Sequence, residues 1–300
     1  MFMRLHKEKV DTMKNKDNTL FIVGNGLDLS FKLPTSYREF MIDDKTKKVL
    51  QYTKLGKYMY HILNNQNWVD IEIELYNYCQ QMYNAKNTHG DNLYEDFKQD
   101  YLTLRDCLKK YLKRIMNIEF SADNYAVKLI KDLCDSQDEP LDVITFNYTD
   151  TLERLTDSPY STTKMKVHHV HGSLDSDIVF GVEDSADLYA PQVYLYKSYS
   201  QYKDLRPFRE LLPYYTNIVF YGYSLGDTDK QYFENYFRNL TKPTENIRNI
   251  AIYHYGTNAF DTVNWQLMRY TGHNLTGLEM YNKVEFHDCQ NKYESPDFIK

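Results

Sequence analysis

Residues Leu20-Phe21-Ile22-Val23-Gly24-Asn25-Gly26-Leu27-Asp28 decide the fold. A short apolar run that stops on two glycines one residue apart, followed by an acid, is how many α/β proteins bring backbone N–H groups against the phosphates of a nucleotide. In that reading Gly24 and Gly26 admit close approach to a pyrophosphate, and a helix starting near Asp28 adds the partial positive charge of its N-terminus. The same glycines also suit a tight turn that needs positive φ. Further apolar runs fall at residues 141–146, 167–170, 217–221, 250–253 and 284–286. Most are apolar at successive positions, as strands covered on both faces must be. Between several of them lie stretches with helical spacing, such as Tyr232, Phe233, Tyr236 and Phe237, and residues 258–270. Strand and helix in alternation predict an α/β fold with a doubly wound, mostly parallel sheet.

Residues 41–138 interrupt the alternation. Leu93, Phe97, Tyr101, Leu104, Leu108, Tyr111 and Ile115 recur every three or four residues and form one stripe of a long helix. Ala122, Tyr125, Leu129 and Leu133 repeat the pattern in a second helix. Trp68-Val69-Asp70-Ile71-Glu72-Ile73-Glu74-Leu75 alternates like a strand, yet its glutamates and helical neighbours favour a helix. The expected organisation is a loose polar tail over residues 1–18, a nucleotide-binding domain over 19–40 and 139–300, and a helical insertion over 41–138 packed on it.

Composition narrows the function. A formal charge of −6 over 300 residues argues against a chain that mainly neutralises nucleic-acid phosphates. The four cysteines, Cys79, Cys107, Cys134 and Cys289, lie far apart, so they read as reduced thiols and not as a zinc site. No apolar run approaches the length of about 20 residues needed to span a bilayer, and the first residues lack a secretory apolar region, which predicts a cytoplasmic protein without a membrane partner.

Three later segments sit, like the first, where an apolar run ends, and in a doubly wound sheet the ligand lies outside those carboxyl ends. In Phe146-Asn147-Tyr148-Thr149-Asp150 the spacing of Asp150 and Glu153 suggests a capping box, while Asn147 offers an amide suited to a ribose hydroxyl or a water, or to turn formation. His168, His169 and His171 invite a metal, but alternation puts His168 opposite the other two and no acidic or Cys partner has ligand spacing. His171, directly before Gly172, suits a general base or a satisfied core histidine. Gly222-Tyr223-Ser224-Leu225-Gly226-Asp227 offers Ser224 as a phosphate or ribose donor and Asp227 as a helix cap. It also matches the Gly-x-Ser-x-Gly elbow of serine hydrolases, with Asp261 and His273 or His287 as formal partners.

Together these four segments resemble the sirtuin-like nucleotide-binding proteins, in which a Gly-Ala-Gly-x-Ser loop, a Gln-Asn or Asn-Tyr strand tip, a His-Gly pair and a Gly-x-Ser loop surround NAD. Within that group the chain resembles the AbiH bacteriophage abortive-infection family, through Gly24-Asn25-Gly26-Leu27-Asp28, Leu33-Pro34-Thr35-Ser36-Tyr37, Trp68-Val69-Asp70-Ile71-Glu72, Phe146-Asn147-Tyr148-Thr149, His169-Val170-His171-Gly172 and Gly222-Tyr223-Ser224-Leu225. The resemblance implies a Rossmann-like, sirtuin-like fold with Asn147 and His171 as the catalytic pair. It implies that Gly24, Asn25, Gly26, Asp28, Thr149, Gly222, Tyr223, Ser224 and Asp227 hold the dinucleotide, and that Thr35, Ser36 and Tyr37 cover its nicotinamide side. Trp68 and Glu72 become candidate pocket residues, Glu72 stabilising a ribosyl cation; alternatively Trp68 anchors the insertion's core with the acids exposed. Asn25 stands where sirtuins have Ala and Asp28 where they have Ser, and a carboxylate near pyrophosphate is repulsive. The four-cysteine zinc module of sirtuins is missing, which argues against deacetylation and against a bound metal.

The function implied by the resemblance is that of an NAD+ glycohydrolase of antiviral defence, with NAD+ as substrate. Nicotinamide leaves neutral from a cationic pyridinium, so no acid need protonate it, unlike an ordinary glycoside. The site has to hold the ribose, stabilise an oxocarbenium-like transition state and deliver water. A non-catalytic module that senses NAD or ADP-ribose and controls a partner is the alternative, ahead of a Ser224 hydrolase and a nuclease. A homo-oligomer and a phage-derived trigger are expected partners, and the amphipathic stretch around residues 92–117 packs either in such an assembly or in the core.

Overall fold

The computed structural model describes residues 18–65, 70–85, 92–158, 164–182, 184, 186–199 and 212–300. The expected tail, apart from Asn18, and Trp68 with Val69 lie outside them. The chain divides into two compact units, one of residues 1–31, 119–170 and 204–300, the other of residues 32–118 and 171–203.

The first unit is built on an open six-stranded sheet, all parallel: β1 (Thr19–Val23), β2 (Leu141–Thr145), β3 (Met165–His169), β4 (Asn217–Tyr221), β5 (Asn249–His254) and β6 (Lys283–Asp288), in the order β3-β2-β1-β4-β5-β6. Each apolar run of the sequence is one of these strands. The central β1 and β4 are buried at all five positions, whereas the edge strands β3 and β6 are not, the burial expected when only central strands are covered on both faces. The chain runs outward from β1 through β2 to β3, then returns to β4 and runs outward the other way. The order therefore reverses between β1 and β4, the position at which open α/β sheets of this order bind ligands.

Register sets the strand tips level. Val23 pairs with Thr145 and with Tyr221, and Thr145 pairs with His169, so Gly24, Phe146, Val170 and Gly222 leave the sheet side by side. Below them the helix Lys230–Leu240 buries Tyr232, Phe233, Tyr236, Phe237 and Leu240. Phe233 and Phe237 join Phe220, Leu20 and Ile22 in the main core, each burial favouring folding by about 1.5–3 kcal/mol.

The second unit contains the helices Tyr37–Ile42, Asp44–Leu50, Lys54–Asn65, Ile71–Ala85 and Asn92–Ile115. The long helix buries Phe97, Tyr101, Leu104, Leu108 and Tyr111, the stripe read from their spacing. The ambiguous stretch is helical from Ile71, and Asp70 starts it by accepting from the Glu72 N–H at 2.9 Å. Two boundaries differ from the sequence reading. The helix Tyr125–Asp135, expected in the insertion, belongs to the first unit, where it leads into β2. Residues 171–203, expected in the nucleotide-binding domain, join the helical unit: Tyr101 donates to the Phe180 carbonyl at 2.5 Å and Lys109 to the Ser176 carbonyl at 2.5 Å. That segment holds short 3-10 turns at Ala190–Leu195 and Lys197–Tyr199, which have too little periodicity to announce where they pack. Among the described residues no helix is long and apolar enough to cross a membrane.

Candidate functional site

The glycines after β1 and β4 are pressed against each other. A Cβ on Gly26 would stand 2.4 Å from the Gly222 Cα, and one on Gly24 would stand 2.7 Å from the Gly222 carbonyl oxygen. Gly222 has φ +55, in the left-handed region that favours glycine. The Gly24 N–H donates to the Tyr221 carbonyl at 3.1 Å and the Gly26 N–H to the Gly222 carbonyl at 2.9 Å. These donors, which the sequence reading directed at a pyrophosphate, therefore close the β1 and β4 tips together. Asn25 between them is exposed.

Asp28 follows in the short helix Gly26–Ser30 and is 1% exposed. Thr149 donates to its Oδ2 at 2.7 Å and Thr151 to its Oδ1 at 2.6 Å, so both carboxylate oxygens are engaged by the segment after β2. Burial pushes the Asp28 carboxyl up to about 6, against the pull of the two hydroxyls. The Asp28 carboxylate thus faces inward, and it ties the β1 loop to the β2 loop.

Asn147 sits at the β2 tip, 7% exposed, and three of its polar groups are held. Its backbone N–H donates to Thr145 Oγ1 at 3.1 Å, and its Nδ2 donates to the Gly24 carbonyl at 3.0 Å. Its backbone carbonyl accepts from His169 Nδ1 at 2.9 Å. The Gly24 contact orients the amide, because only the nitrogen can donate to a carbonyl, and Oδ1 is turned away as an acceptor. The other ring nitrogen of His169 lies 2.8 Å from Glu153 Oε1. The expected capping box is absent: Glu153 turns to His169, and Asp150 pairs with Arg154 at 2.9 Å without capping the helix Thr151–Thr156. His168 is exposed, on the other side of β3.

After β4 the side chains alternate sharply. Tyr223 is buried, its ring stacked on Phe146 at 4.4 Å and its hydroxyl donating to Asp229 at 2.9 Å, so it serves the core. Ser224 is exposed. Leu225, fully buried, adopts φ +53, and Tyr270 donates to the carbonyls of Leu225 and Gly226 at 2.8 and 3.0 Å. Asp227, expected to cap a helix, pairs with Arg269. A nucleophile elbow concentrates strain at its serine, whereas here the positive φ values fall at Gly222 and Leu225. His287, one formal partner of such a serine, is bonded to Glu285 at 2.9 Å and stacked on Tyr253.

The remaining sequence candidates belong to the second unit. His171 is buried, and its carbonyl accepts from the Val179 N–H at 2.7 Å. Gly172 has φ +74, and a Cβ there would stand 2.0 Å from the Asp177 carbonyl oxygen, so the turn after His171 requires glycine. Ser36 caps the helix Tyr37–Ile42 in a capping box with Glu39, Tyr37 lies edge-on to Phe180 at 6.2 Å, and the Thr35 N–H donates to the Leu33 carbonyl. Glu72 is buried and bonded to Lys197 Nζ at 2.9 Å, with the lysine side chain fully inside. The acid proposed for the pocket is therefore half of a buried ion pair. Thr151, Lys197 and Arg269 had no place in the sequence reading, nor had His169 and Glu153 as a pair. Only the Ser36-x-x-Glu39 box carried a signal that spacing could have revealed.

No curated protein matches the chain. A family model described as bacteriophage abortive infection AbiH matches residues 20–253, from β1 into β5, and so takes in every one of these loops. With well over half of its length matched, the chain belongs to the bacteriophage abortive infection AbiH family.

Proposed function

We propose that this chain is a phage-defence effector of Rossmann-like, sirtuin-like fold that binds NAD+ and hydrolyses it to nicotinamide and ADP-ribose. The observation that carries the reading is Asn147: a buried amide at the reversal point of the sheet, its nitrogen tied to the Gly24 carbonyl and its Oδ1 left to accept. An acceptor so held suits a ribose hydroxyl or an attacking water. In the reaction water adds to the anomeric carbon of the nicotinamide ribose as the bond to the pyridinium nitrogen breaks. The bonding pair goes to that nitrogen and neutralises the ring, and the water loses one proton, which His171 is assigned to accept. Because the Gly24 and Gly26 N–H groups are engaged, the phosphates fall to the exposed Asn25 and Ser224 side chains.

Purified protein incubated with NAD+ should release nicotinamide. Asn147→Ala and His171→Ala should each abolish that release while leaving the far-UV circular dichroism unchanged. Undiminished release in both variants removes the assignment. Binding of NAD+ without release, in triggered as well as resting protein, supports the sensing module instead.

A further inference from the structure

We propose that His169, held as an imidazolium between the Glu153 carboxylate and the backbone carbonyl of Asn147, is a positioning residue that sets the direction of the Asn147 amide. The geometry carries this. One ring nitrogen is 2.9 Å from a carbonyl oxygen and the other 2.8 Å from a carboxylate oxygen. Both partners only accept, so both nitrogens must donate, and the ring that does so is doubly protonated. A neutral ring would set a lone pair against one of them.

The charged groups around the ring favour that state. Glu153 lies in the helix Thr151–Thr156, Asp150 immediately precedes that helix, and Asp28 lies near from the β1 loop. Burial works against the imidazolium, and Glu153, the Asn147 carbonyl and Asp150 outweigh it, so His169 titrates above its ordinary value. The consequence is transmitted through the backbone. With the Asn147 carbonyl held by His169 and its N–H by Thr145, the peptide planes on both sides of the residue are fixed, and from that backbone the side-chain nitrogen donates to the Gly24 carbonyl. The ring contacts the backbone carbonyl of Asn147 and acts through that residue.

The catalytic consequence rests on the proposed NAD+ hydrolysis; the protonation and the positioning do not. In protein carrying 15N-histidine, both ring nitrogens of His169 should give protonated shifts at pH 7, assigned by their loss in His169→Asn. Glu153→Gln should move the titration midpoint to lower pH. A neutral ring at pH 7, or a midpoint that Glu153→Gln leaves in place, overturns the proposal. His169→Asn puts an amide nitrogen where Nδ1 stood and can still donate to the Asn147 carbonyl, whereas His169→Ala cannot. The Asn147 side-chain amide protons should therefore exchange with solvent slowly in wild type and His169→Asn, and faster in His169→Ala. Equal exchange in all three overturns the positioning role. If wild type releases nicotinamide, His169→Ala should lower kcat roughly 10- to 100-fold with little change in KM, and His169→Asn should restore part of it. If wild type releases none, the proposed function fails and the two spectroscopic results still decide His169.

Discussion

Replacing Gly222 with alanine should destabilise the first unit by about 3–6 kcal/mol. Three effects contribute. The residue has φ +55, where an L side chain costs about 1–2 kcal/mol. Its new Cβ would also stand 2.4 Å from the Gly26 Cα, 2.6 Å from the Gly26 carbonyl carbon and 2.9 Å from the Leu27 nitrogen. All three are backbone atoms, so no rotamer change relieves the contact, and forcing extra volume into a packed site costs about 1–3 kcal/mol. Parting the two tips also strains the bond from the Gly26 N–H to the Gly222 carbonyl, worth about 1 kcal/mol. Gly226, in the same loop, is the internal control: its φ is −60 and the nearest atom to a Cβ is Ser224 Oγ at 3.6 Å. Alanine there should be neutral, or stabilising by about 0.4–1 kcal/mol through the unfolded chain. The assay is urea unfolding followed by tryptophan emission in a Trp68→Phe background, which leaves Trp265, in the first unit, as the sole reporter. A Gly222→Ala midpoint no lower than that of Gly226→Ala would refute the claim that these glycines exist for contact between the β1 and β4 tips.

Buried charge gives two further outcomes. Asp28 has a folded-state value of about 6 against an ordinary 3.8, so the folded chain binds the extra proton and stability falls as pH rises between those values, by about 3 kcal/mol from this group alone; the difference between wild type and Asp28→Asn in urea midpoint at pH 4 and pH 7 should isolate that slope, and parallel curves would show that the carboxyl is not desolvated. Lys197→Met should cost about 3–5 kcal/mol because Glu72 is left buried without its partner, while Lys197→Met with Glu72→Leu should recover most of the loss in thermal melts followed by circular dichroism.

Sequence alone determined the strands and their faces. Each of the six apolar runs is a strand; in the central β1 and β4 the run is apolar at successive positions because both faces are covered, and that pattern is local. The stripe from Phe97 to Tyr111 is likewise local, since helical spacing alone puts those residues on one face. It also singled out Asn147 at a strand tip. Only the tertiary structure decided what the tips touch. That Gly24 and Gly26 face Gly222, that Asp28 meets Thr149 at a separation of 121 residues, and that Lys197 neutralises Glu72 at a separation of 125 depend on which strands pair and on where residues 171–203 pack. No local pattern encodes such contacts, because a buried hydrogen bond or ion pair constrains the distance between two side chains and leaves the chain between them unspecified.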